Sequence, residues 1–166
     1  MYALIDCNNF YANCEKLFQP WLVRVPIIVL SNNDGCVIAR SNEAKQLGIK
    51  MGEPAFKIKY LIEKYNIKVF SSNYTLYGDI SNKVIKTILS FRLPCEVYSI
   101  DEVFVSLCDM KYHNIIEYTK NIRQTILQNV GIPVSIGIAP TKTLAKAANY
   151  FAKKNHSNQG IFQLID

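Results

Sequence analysis

Tyr98-Ser99-Ile100-Asp101-Glu102-Val103-Phe104-Val105-Ser106-Leu107 is the stretch on which the fold turns. β-Branched, aromatic and aliphatic residues flank a central Asp101-Glu102, so it reads as two strands meeting at a bend. No Lys or Arg stands within several residues of the two acids. A hydrophobic strand pair gains no stability from two anions at its bend, whereas adjacent carboxylate oxygens suit a hard cation such as Mg2+. Taken alone, an Asp-Glu pair reads as a solvated turn. A second strand that also ends in a carboxylate changes the reading.

That strand opens the chain: Tyr2-Ala3-Leu4-Ile5-Asp6, a short apolar run closed by an acid. A helix over 10–17 follows, with apolar residues at 10, 14 and 17, and Pro20 stops it. Pro26–Leu30 and Cys36–Arg40 form a hairpin about the Asp34-Gly35 turn signal. Ser41 caps a helix that Gly48 ends. A further helix over about 55–65 and a short strand at 68–71 complete a small α+β unit inserted between about residues 20 and 72.

An amphipathic helix over 74–90 then leads through Pro94 into the Asp101-Glu102 strand pair. The next helix, over about 114–130, has Ile115, Ile116, Ile122, Ile126, Leu127 and Val130 as its expected buried stripe. Strand 134–139, a helix from the Thr141 cap to about Lys153, and a tail able to add an edge strand at 160–165 finish the chain. With the insert set aside, the order β, α, β, β, α, β is that of an α+β, ferredoxin-like split-βαβ fold: an antiparallel sheet with helices on one face. In that layout the first strand lies beside the strand that follows the first helix, which brings Asp6 close to Asp101.

Three carboxylates, Asp6, Asp101 and Glu102, suffice to hold two divalent ions about 3.5–4 Å apart, the arrangement that clamps both oxygens of an in-line phosphoryl displacement. Positive side chains must then neutralise the substrate phosphates. Arg40 and Lys45 flank the hairpin-to-helix junction. Lys142, Lys146 and Lys153 lie along the last helix, where a solvated face is the plainer role for any one of them. Gly137–Thr143 resembles a P-loop in passing, but it is one residue short, lacks the glycine before the lysine, and carries Pro140 in the cradle.

Composition is consistent with this chemistry. In 166 residues the net charge is +6, which suits an anionic partner. The five cysteines form no C-x-x-C pair and sit mostly in apolar runs, as in a reducing, cytoplasmic setting. His113 and His156 are far apart and read as surface residues, not zinc ligands. No apolar run approaches the roughly 18 residues a membrane span needs.

Four ordered motifs carry a resemblance across essentially the whole chain: Asp6–Ala12 (DCNNFYA), Ser31–Arg40 (SNNDGCVIAR), Tyr98–Phe104 (YSIDEVF) and Gly137–Lys146 (GIAPTKTLAK). Together they resemble the Y-family translesion DNA polymerases, in their UmuC-like branch. The resemblance implies a palm at 1–20 and 73–166 and fingers at 21–72. It implies that Asp6 and Asp101 bridge two Mg2+ ions, that Glu102 binds the catalytic one, and that the Cys7 carbonyl completes the nucleotide-side site. Tyr11 falls where the family carries its steric gate against a ribose 2′-OH, and Phe10 would form the floor beneath the incoming sugar. The family's Y-E-A-R run reads Asn42-Glu43-Ala44-Lys45 here: Lys45 keeps the charge and loses the bidentate fork, and Asn42 loses the phenol. Lys153 aligns with a lysine that reaches the triphosphate from the palm side.

The implied activity is error-prone lesion bypass in SOS-type repair, with dNTP and primer-template DNA as substrates. A UmuD-like accessory protein, a RecA filament and a sliding clamp are the implied partners. The family's thumb and little finger have no counterpart in these residues, so weak or no activity in isolation is expected. Two other readings compete: a non-catalytic DNA- or partner-binding regulatory relative, and a nucleotide cyclase, against which Tyr11 and the insert both argue.

Overall fold

The computed structural model describes residues 1–108, 110, 114–154 and 159–165; His113 and His156 lie outside the described residues. Along the chain run β1 (Tyr2–Cys7), α1 (Phe10–Leu17), β2 (Ile27–Leu30), β3 (Val37–Arg40), α2 (Asn42–Gln46), α3 (Lys59–Tyr65) and β4 (Lys68–Ser71). Then follow α4 (Tyr74–Leu89), β5 (Cys95–Val97), β6 (Glu102–Ser106), α5 (Ile115–Val130), β7 (Val134–Ala139), α6 (Lys142–Lys154) and β8 (Ile161–Gln163). The chain divides into two compact units, one of Met1–Asn8 with Gly78–Asp166 and one of Asn9–Tyr77.

The first unit is built on a five-stranded sheet in the order β5-β6-β1-β7-β8. β1 runs antiparallel to both β6 and β7, with Leu4 opposite Phe104 and Gly137, and Asp6 opposite Glu102 and Ser135. The outer arm of the hairpin is β5 and the inner arm is β6. This corrects the expectation that β1 lies beside the strand directly after the helix. The acidic pair opens β6, so the juxtaposition with Asp6 holds. β8 adds to β7 in parallel, making the sheet mixed at that edge.

Side chains alternate across the sheet. Leu4, Phe104 and Ala139 pack on one face against Ala145 of α6. On the other, Ala3, Ile5, Val103, Val105, Ile136 and Ile138 are buried as well. β7 packs against α5 and α6, so helices cover both faces, not one. α6 buries Ala145, Ala148, Asn149 and Ala152. These short side chains let the helix lie directly on Gly137, where an added Cβ would come within 2.1 Å of the Asn149 backbone nitrogen. The Asn149 amide donates to the Leu4 and Ser135 carbonyls at 3.0 and 2.9 Å, fixing the helix to β1 and β7. On α5 the buried stripe is Ile115, Thr119, Ile122 and Ile126. Thr119, absent from the expected stripe, satisfies its hydroxyl on the Ile115 and Ile116 carbonyls, while Leu127 is exposed.

The second unit holds the sheet β3-β2-β4, antiparallel between β2 and β3 and parallel between β2 and β4. Its core gathers Ile28, Leu30, Val37, Ala44, Ile49, Ile58 and Ile67. Ser41 caps α2 as expected: its hydroxyl accepts from Ala44 N–H and also from Ile27 N–H, at 3.2 and 2.9 Å. One buried side chain thereby ends β3, starts α2 and anchors both to β2. At the hairpin turn Asp34 takes the left-handed φ of 55°, and Asn33 Oδ1 accepts from Gly35 N–H.

Candidate active site

The acids sit where the first unit's central strands end. Asp6, in the last turn of the pleat on β1, faces Glu102 across the ladder. One residue on, Cys7 N–H donates to the Asp101 carbonyl at 2.9 Å. The bend before β6 is closed by Tyr98 and Ser99 N–H groups donating to the Glu102 carbonyl, at 3.0 and 3.2 Å. Ser81 Oγ of α4 holds the Ile100 carbonyl at 2.5 Å. Backbone bonding, rather than side-chain attraction, therefore puts three carboxylates at one sheet edge.

Two neighbours hold those carboxylates in place. Ser99 Oγ lies 2.8 Å from Asp101 Oδ1 and 3.2 Å from Glu102 Oε2, so its single proton is shared between them. Lys153 Nζ of α6 donates to Asp6 Oδ2 at 2.7 Å. Burial lifts the Asp6 carboxyl to about 6; Lys153 opposes that rise, and the charges of Asp101 and Glu102 add to it. The three anions thus feel one another. Earlier on α6, Lys146 Nζ sits 4.1 Å from the centre of the Tyr98 ring, and its hydrogen bond to Tyr98, with Glu102 nearby, holds it above the usual lysine value. Lys142 pairs with Glu96 at 2.5 Å. Lys146 and Lys153 are exposed and Lys142 is half-exposed, so all three stay on a solvated face while each meets one named partner.

Among the described residues, no three His, Cys, Asp or Glu side chains stand close enough to hold a metal ion as arranged here. The donor chemistry fits one nonetheless. The set is oxygen-only, as Mg2+ requires, and three acids repel one another there, with Lys153 paired to Asp6 and Lys146 near Glu102 as the partial offset.

The second unit carries the other expected site residues. Tyr11 stacks on Tyr77 with ring centres 4.3 Å apart and planes at 16°, and Tyr74 meets both rings edge-on. Phe10 lies 5.8 Å from Tyr11. Tyr77 is fully buried and donates its phenol to buried Glu15 at 2.7 Å; burial and Glu15 hold that phenol well above its usual pKa. Asn42 and Lys45 converge on Asn9, whose amide donates to Asn42 Oδ1 at 2.9 Å and accepts from Lys45 Nζ at 2.5 Å. Arg40 donates to the Ile49 carbonyl at 2.6 Å, and its Nε is buried without a partner. Sequence reasoning marks none of Ser99, Asn9, Glu15 and Tyr77 as a site residue. Asn9 and Ser99 lie inside quoted motifs, but an Asn before a helix reads as a cap and a Ser at a bend as a turn residue.

Residues 5–150 match the sequence pattern of the impB/mucB/samB family. The chain belongs to the impB/mucB/samB family. The chain is 50% identical over 166 residues to Protein UmuC of Salmonella typhimurium, covering 99% of this chain and 39% of that protein. It is 33% identical over 150 residues to DNA polymerase IV 2 of Mesorhizobium japonicum, covering 89% of this chain and 35% of that one. Among solved structures, the insertion ternary complex of Dbh DNA polymerase superposes with a TM-score of 0.85 at 28% identity, covering 99% of this chain and 48% of that one. This impB/mucB/samB member is thus UmuC-like and has the Y-family polymerase fold. It spans about two fifths of the length of the curated relatives it matches.

Proposed function

We propose that the chain is the palm-and-fingers catalytic core of an error-prone lesion-bypass DNA polymerase, which transfers a nucleotide from a dNTP to a primer 3′-OH during SOS-type repair. The palm is residues 1–20 and 73–166 and the fingers are 21–72. The observation that carries the proposal is the Asp6–Glu102 pairing, with Asp101 locked beside it by Cys7 N–H.

Asp6, Asp101, Glu102 and the Cys7 carbonyl are the groups that would hold two Mg2+ ions. When bound, those ions would activate the 3′-OH and stabilise charge on the leaving pyrophosphate. The chain's own residues do the rest. Asp6, buried at the sheet edge, presents a carboxylate that gains strongly from a cation. Lys153 neutralises it beforehand and offers its ammonium to the triphosphate. Tyr11, kept flat by Tyr77, blocks a ribose 2′-OH, over the floor that Phe10 forms. Asn42 and Lys45 meet the triphosphate, with Arg40 as a further cation of the fingers. A net charge of +6 favours primer-template DNA. A UmuD-like protein, a RecA filament and a sliding clamp are the partners this reading implies, in the cytoplasm; no helix among the described residues is long and apolar enough to cross a membrane.

One observation favours a non-catalytic, DNA- or partner-binding relative: the carboxylate of Asp6 is already engaged by Lys153. Calorimetric titration of the chain with dTTP separates the two. The polymerase reading expects binding that requires Mg2+ and disappears in Asp101→Ala. Binding to DNA with no affinity for nucleotide, with or without Mg2+, would support the other.

A further inference from the structure

Asn9 breaks the local rules of its position. It stands at the N-cap of α1, where an Asn side chain ordinarily accepts from the helix's first N–H groups, yet its side chain makes no cap bond. Its backbone is left-handed, at φ 45° and ψ 49°, a conformation Asn tolerates better than most residues but one with a cost. Its carbonyl still begins the helix, accepting from Asn13 N–H at 2.9 Å. What the side chain does instead is bridge 33 and 36 residues ahead, to Asn42 and Lys45 of α2.

The chemistry of that bridge fixes its polarity. A lysine can only donate, so the atom of Asn9 facing Lys45 is the amide oxygen. The amide nitrogen must then find an acceptor, and Asn42 Oδ1 is that acceptor at 2.9 Å. Lys45 therefore fixes which end of Asn9 it meets, and Asn42 completes the arrangement by accepting from the other end. Both residues by which this chain departs from a Tyr/Arg pair are accounted for by one amide. An arginine fork is geometrically preorganised; a lysine on four rotatable bonds is not, and needs an external tether to be held in one place.

We propose that Asn9 is a positioning residue for nucleotide binding: with Asn42 it holds the exposed Lys45 ammonium in a single place for the triphosphate, supplying the order that an arginine would carry in its own geometry. The proposal rests on Lys45 serving as a triphosphate cation.

The test is single-nucleotide incorporation by the full gene product that contains this chain, with KM and kcat measured for Asn9→Gly, Lys45→Ala and the double variant. Glycine removes the side chain while keeping the left-handed backbone unstrained. Asn9→Gly should raise the KM for dNTP about 2- to 12-fold, the range for losing the preordering of one flexible side chain, with kcat unchanged. Lys45→Ala should raise it at least as far, and the double variant no further than Lys45→Ala alone. Asn42→Ala, which unseats the amide from its other end without touching α1, should also raise KM but add nothing in a Lys45→Ala background, whereas a direct contact of Asn42 with the triphosphate would add there; this pair serves where Asn9→Gly fails to fold. Should Lys45→Ala raise KM while Asn9→Gly and Asn42→Ala do not, or should the effects simply add, the positioning role is overturned. Should Lys45→Ala leave KM unchanged, the reading of Lys45 itself fails, and the inference with it.

Discussion

Asp6 concentrates the electrostatic tension of the first unit. Its carboxyl rises from 3.8 to about 6, through burial first. A carboxyl whose folded value lies above its unfolded one holds its proton more tightly when folded. Its contribution to stability is therefore complete below about pH 3.8 and is lost as pH climbs through about 6. A rise of that size corresponds to about 3 kcal/mol. Asp6→Asn, which keeps an oxygen for Lys153 and removes the charge, should raise the melting temperature of the metal-free chain at pH 7 by a few degrees and erase stabilisation by added Mg2+. Differential scanning fluorimetry with and without the ion checks both effects. A drop in melting temperature would mean the Lys153 pair outweighs burial. Ser99 gathers Asp101 and Glu102 beneath one hydroxyl. Ser99→Ala should weaken divalent binding by about 10-fold or more, as for other groups that orient metal ligands. Electron paramagnetic resonance of added Mn2+ is a suitable readout, and unchanged affinity would remove Ser99 from the site.

At the scale of elements, two contacts set where functional side chains stand. α6 lies on β7 only because Gly137 has no Cβ. Gly137→Ala must push the helix outward, at about 1–3 kcal/mol or more for overpacking, and Lys153 moves with it; chemical denaturation gives the loss. In the second unit, Tyr11 rests on Tyr77, and Tyr77 on Glu15. Tyr77→Phe keeps the ring and leaves a buried carboxylate short of a donor, a cost of about 1–3 kcal/mol. Tyr11→Ala should admit ribonucleotides without abolishing extension; unchanged sugar discrimination would refute the gate. The elements themselves were legible in the sequence because propensity and tertiary role agree: Ser41, Gly48, Pro94 and the Gly131–Pro133 break all act locally. The juxtaposition of Asp6 with the acidic pair was legible too, since the pair sits at the bend between the two hairpin arms and either arm laid beside β1 brings it near Asp6. Three features were not. Which hairpin arm meets β1 depends on packing, not on period. The α5 stripe misled because Thr119 satisfies its hydroxyl within the helix and so buries like an apolar residue. Asn9 was hidden because its partners lie more than thirty residues away, while its local context spells a cap.

Over the whole molecule, composition, motif order and fold agree on a family, and the chemistry narrows from there. The positive charge suits DNA, the first unit supplies a carboxylate cluster with Asp6 buried and Asp101 and Glu102 half-buried, and the second supplies a stacked aromatic and a tethered lysine. These features are independent of one another, which is why a decayed, non-catalytic relative is the weaker reading: nothing about folding requires all three acids at one sheet edge. The central claim is that this edge performs nucleotidyl transfer. Primer extension on a DNA template by the full gene product, with Asp101→Ala and Glu102→Ala compared to the unaltered protein, addresses it most directly. The expected result is Mg2+-dependent extension that both substitutions abolish while the protein stays folded; substantial extension remaining in either variant would contradict it.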